Sequence, residues 1–128
     1  MDNIPMKVQN QIAMLQQLQQ QLQAVLNQNA QYDLAVRDAK RAQEALKDLP
    51  EDAEVFMNIG TVLVRQQKTK VDASLTEKIE TLELRIMSLE KQEKAMQTKF
   101  EQLSSQVKEA LEGKKTAPSS ARSQSGNE

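Results

Sequence analysis

The chain is 128 residues long, 38% hydrophobic but only 2% aromatic, which allows one domain and favours an elongated helical chain over a compact core. It has no histidine and no cysteine; without the usual general base, thiolates or zinc ligands, no enzyme, cofactor or metal is expected. Its 17 basic and 18 acidic side chains are interspersed with no basic stripe, so neither nucleic acid nor an anionic membrane is an expected partner.

The first pattern predicts a helix over 6–48. Heptads place Val8, Leu15, Leu22, Asn29, Val36 and Gln43 at position a, and Gln11, Leu18, Val25, Tyr32, Ala39 and Leu46 at d. Nine of these twelve are apolar or aromatic, and such a sustained stripe is the signature of a coiled coil. Gln16, Gln17, Gln19, Gln20, Gln21 and Gln23 fill much of the outside and read as a solvated face of good helix formers. Pro5 suits a first helical turn, where its missing N–H costs nothing. Pro50 ends the helix by disfavouring helical geometry at Leu49.

Residues 51–70 change character. Val55–Ile59 and Thr61–Gln66 are rich in β-branched and apolar types and are split by Gly60, predicting a β-hairpin over 54–67. A lone two-stranded hairpin is marginal in water. Its apolar residues therefore need cover that a single copy does not obviously supply.

A second helix is predicted over 70–112. Ile79, Ile86, Glu93, Phe100 and Val107 occupy a; Leu82, Leu89, Met96, Leu103 and Ala110 occupy d. Ser74 with Glu77, or Thr69 with Asp72, has the spacing of an N-terminal capping box. Residues 113–128 are almost devoid of apolar types and are expected to form a disordered tail. The longest apolar run, Ile12 to Leu15, is too short to span a membrane, and no leader pattern precedes it. A cytoplasmic protein is expected.

Two helices of about 43 residues, each roughly 65 Å long, fold back on one another if the chain reverses near Gly60. The expected fold is mainly α: one domain over 1–112, a long antiparallel coiled-coil hairpin with a short β-hairpin at its turn end. That reversal brings Asn29 and Glu93 to nearly one level, a candidate polar layer fixing the register. It also gathers Ile4, Met6, Val8, Ile12, Met14 and Leu15 with Phe100, Leu103, Val107 and Leu111 at the opposite tip. Two helices cover only one stripe on each other, so off-seam residues such as Ile12, Met14 and Leu111 are expected to stay exposed or loosely packed. They read either as scattered surface apolar residues at ordinary frayed helix ends or as an adaptable, partly methionine-lined surface for apolar segments of other proteins.

The sequence resembles the β-class subunits of the prefoldin family in their archaeal form. The resemblance rests on Asn3-Ile4-Pro5, Val8-Gln9 and the Gln-Leu-Gln heptads, then Leu49-Pro50-Glu51-Asp52-Ala53 and the strand segment Val55 to Val64. It continues through Glu77 to Arg85 and Leu89 to Glu93. It implies an ATP-independent co-chaperone, a holdase subunit that binds unfolded polypeptides at coiled-coil tips and passes them to a group II chaperonin. The implied partners are α-class subunits, in a hexamer of two α and four β chains. Val55, Phe56, Met57, Ile59, Val62, Leu63 and Val64 would then join subunits through their strands. Ile4, Met6, Val8, Ile12, Met14, Leu15, Leu103, Val107 and Leu111 would contact substrate, and Lys108, Glu109, Lys114 and Lys115 the chaperonin. The rival reading is a structural coiled-coil adaptor for a folded partner helix.

Overall fold

The computed structural model describes residues 4–116, with side chains through Gly113. In chain order the elements are α1 (Met6–Lys47), β1 (Val55–Ile59), β2 (Val62–Gln66) and α2 (Lys68–Thr116). The fold is mainly α, two long helices with an antiparallel β-hairpin between them.

Helix α1 opens at Pro5, whose carbonyl accepts the first intrahelical bond from the Gln9 amide at 3.0 Å. Proline thus stands just outside the helix. The Gln9 side chain reaches back to donate to the Ile4 carbonyl at 2.9 Å. At the other end, Asp48 and Leu49 close a tightened turn onto the carbonyls of Ala45 and Leu46. Pro50 follows and starts a turn closed by the Ala53 amide, in keeping with the bar that proline sets against a continuing helix.

Helix α2 begins two residues earlier than the periodicity suggests and continues to Thr116. The carbonyl of Gln67 takes the first amide bonds, from Lys70 and Val71. Thr69, Asp72, Ser74 and Glu77 therefore lie within the helix, and neither expected capping box forms. The C-terminal boundary also moves: residues 113–116, expected in the tail, are helical. The remainder of the expected tail, 117–128, lies outside the described residues.

The described chain divides into two compact units, one made of residues through Val25 and from Gln92 onward, the other of Leu26–Lys91. In the second unit Val36 and Ala39 of α1 pack on Ile79 and Leu82 of α2, flanked by Tyr32, Ala35, Leu75 and Ile86. Gln43 at seam position a is satisfied across the pair, donating to Thr76 Oγ1 at 2.8 Å and to the Asp72 carbonyl at 3.3 Å. Lys40 and Glu83 pair at 3.4 Å, and the Arg85 guanidinium lies 5.9 Å from the centre of the Tyr32 ring. Both groups of the ion pair are half exposed, so it contributes tenths of a kcal/mol at most; apolar burial carries the packing.

In the first unit Val8 and Val107 are buried, and Gln11 donates to Gln106 Oε1 at 3.3 Å. Here too the helices run antiparallel. Glu93 of this unit is half-buried, as is Asn29 of the second unit. The amide oxygen of Asn29 has no hydrogen-bond partner, and Glu93 accepts from Gln97 at 3.5 Å.

Candidate functional site

One candidate surface lies on the β-hairpin. Gly60 adopts φ = 64°, a left-handed conformation that costs glycine nothing. Gly60 and Thr61 form a two-residue turn between the paired Ile59 and Val62; Thr61, expected to begin the second strand, belongs to this turn. The register pairs Val55 with Gln66, Phe56 with Arg65, Met57 with Val64 and Asn58 with Leu63. Directly paired residues share a face. Val55, Met57 and Ile59 therefore lie with Val62, Val64 and Gln66 on one side, and Phe56 and Leu63 lie on the other.

Burial fades toward the turn. Val55, at the stem, is 9% exposed and Met57 half-buried, whereas Ile59 is 55% exposed. Phe56, Val62 and Leu63 are exposed as well, and Val64 is half-buried. Of the seven residues expected to join subunits, Val55 is thus already used within the chain, while four present open apolar surface. The sheet contains only these two strands, so each keeps one edge unpaired among the described residues. Exposed apolar edges of this kind are templates for pairing with another chain.

The stem is polar and closely tied. Lys68 Nζ donates to the Leu49 carbonyl at 2.7 Å and lies 4.0 Å from Glu51, while Arg65 pairs with Glu54 at 3.3 Å.

The other candidate surface belongs to the first unit. Met6 and Met14 are exposed, at 69% and 49%, and Ile4, Ile12, Leu15, Leu103 and Leu111 are half-buried. Val8 and Val107 differ from this group. Both are buried between the helices. Lys7, Val8 and Gln11 of α1 line a shallow groove with Gln106, Glu109 and Ala110 of α2. A further groove is lined by Met14, Gln17, Leu18, Gln21 and Lys99. Periodicity missed this one because the glutamines read as a solvated face; their i,i+4 spacing beside Met14 and Leu18 was the available signal. Lys108 and Glu109 are exposed, whereas the side chains of Lys114 and Lys115 lie outside the described ones.

Among the described residues no three or more acidic side chains gather as a metal site, and no helix is long and apolar enough to cross a membrane. A hairpin whose strand edges are unpaired among the described residues and whose apolar residues are open leaves a surface suited to pairing with another chain.

Comparison with known proteins identifies the class. A family model described as "Prefoldin subunit" matches residues 9–114, and the chain belongs to that family. It is 64% identical over 121 residues to a prefoldin subunit beta of Methanoculleus marisnigri, covering 94% of this chain and all of the relative. It is 57% identical over 116 residues to the prefoldin subunit beta of Methanospirillum hungatei, covering 91% of this chain and 97% of the relative. The crystal structure of the prefoldin beta subunit from Thermococcus strain KS-1 superposes with a TM-score of 0.78 at 43% identity, covering 87% of this chain and 97% of that one.

Proposed function

We propose that this chain is a β-type subunit of a cytoplasmic prefoldin hexamer, two α-class and four β-class chains, acting as an ATP-independent holdase. The first unit grips unfolded polypeptide and the assembly hands it to a group II chaperonin. Family membership supports the assembly, and the bare apolar hairpin supplies its contacts: Phe56, Ile59, Val62 and Leu63 meet strands of neighbouring subunits, with Met57 and Val64 beside them. The observation that carries the gripping role is the exposure of Met6 and Met14 among half-buried Ile4, Ile12, Leu15, Leu103 and Leu111. Methionine's unbranched, polarizable side chain fits irregular apolar partners. Each such surface binds weakly, and several in one assembly engage one client together, so modest affinities multiply. No catalysis is needed; release requires only a partner that binds the client more tightly. Lys108, Glu109, Lys114 and Lys115 are the proposed chaperonin contacts.

A second reading, an adaptor for a folded helix, draws on the exposure of Leu84 and Met87, three residues apart on α2. Diluting a denatured enzyme into the assembled protein without nucleotide, while following light scattering, separates the two. A holdase suppresses aggregation and loses this on deletion of residues 1–14. An adaptor leaves aggregation unchanged.

A further inference from the structure

From Val8 to Tyr32 the chain carries no charged side chain, although 27% of the whole sequence is charged. Glutamine and asparagine dominate the outward positions of this stretch instead. In the first unit two of these glutamines, Gln17 and Gln21, line a groove with Met14, Leu18 and Lys99. Both are exposed, and neither carboxamide has a protein partner among the described residues, unlike Gln9, Gln11 and Gln23. Met14 is about half exposed beside them and Leu18 is half-buried.

We infer that this groove binds the main chain of an extended polypeptide, Gln17 and Gln21 pairing with its peptide groups while Met14 and Leu18 receive its apolar side chains. The inference rests on the holdase reading and specifies what one of its surfaces recognises. The spacing supports an extended occupant. Gln17 and Gln21 are four residues apart, as are Met14 and Leu18, a step of about 6 Å along a helix. An extended chain presents its main-chain groups to one side every second residue, about 6.7 Å apart, a mismatch that a flexible glutamine side chain absorbs. A carboxamide both donates and accepts, as a peptide group does, so the match is independent of client sequence. A folded helix keeps its main-chain groups bonded internally and would leave both carboxamides unpaired. The α1 side of the groove is uncharged, and Lys99 of α2 is the one charged side chain among its lining residues.

The test uses the full-length chain in its assembly with a fluorescein-labelled peptide of alternating leucine and serine. The second probe is the same peptide N-methylated at every residue, which removes the main-chain donors along both edges and keeps every side chain. The parent protein should bind the unmethylated peptide about tenfold more tightly, the worth of one or two net hydrogen bonds. Gln17→Leu/Gln21→Leu should erase that preference and still bind the methylated peptide, with helicity by circular dichroism unchanged because leucine and glutamine are similar helix formers. Equal binding of both peptides by the parent, or a preference that survives Gln17→Leu/Gln21→Leu, overturns the inference; so does tighter binding of a cross-linked helical peptide than of the extended one. If these occur while aggregation is still suppressed, the holdase reading stands; loss of suppression in the parent overturns that reading itself.

Discussion

Lys68 and Leu49 are joined by a 2.7 Å hydrogen bond from the lysine ammonium to the backbone carbonyl, tying the first turn of α2 to the segment that follows α1. The Lys68 side chain is 15% exposed, so its carbon stem packs while its head serves the carbonyl. The bond closes the stem from which the β-hairpin projects. Lys68→Met keeps the stem and removes the donor. It should cost about 1–2 kcal/mol, read as a lower urea midpoint with unchanged slope at fixed protein concentration.

Leu63 and Leu84 are equally open to solvent, at 66% and 67%, but only Leu63 lies on the hairpin. Leu63→Asp should yield a species of smaller mass by light scattering than the parent assembly, because a carboxylate cannot enter an apolar strand interface without loss. Leu84→Asp should assemble as the parent does. Equal masses for all three proteins would remove the hairpin from the assembly contact.

Leu82 supplies the opposite comparison with Leu84. It is 7% exposed and packs with Val36, Ala39 and Ile79. Leu82→Ala should cost about 2–3 kcal/mol in chemical denaturation, the lower part of the range for a buried leucine, because this narrow seam is close to solvent and can partly collapse. Leu84→Ala should stay within about 0.5 kcal/mol of the parent.

Asn29 holds a seam position with its amide oxygen buried and unpaired. Asn29→Leu should raise unfolding stability by about 1 kcal/mol, since it exchanges an unmet acceptor for apolar contact. A drop in stability would show that the amide is a net support of the seam.

The seam was legible in the sequence. Val8, Val25, Val36, Ala39, Leu46, Ile79, Leu82, Leu89 and Val107 are the buried apolar residues of the helices, and every one sits at an a or d position of the heptads. Gly60 likewise marked the turn, because a positive φ there is open to glycine at no cost. Heptads locate a stripe but not its polar contacts, so Gln43 gave no sign of bonding across to Thr76. The start of α2 was missed because no side-chain capping signature marks it; its first amide bonds run to the backbone carbonyl of Gln67. The groove at Gln17 and Gln21 stayed hidden for a related reason: a solvated glutamine and one poised for a ligand look alike until their neighbours are placed.

Client capture by the first unit is most directly tested by site-specific photo-crosslinking. A benzophenone side chain placed at Met14, and separately at Leu84, is irradiated in the full assembly with a denatured, labelled enzyme and no nucleotide present. The account predicts a strong labelled adduct from position 14 and little from position 84. Comparable adducts at both positions, or adducts at 84 alone, would contradict it.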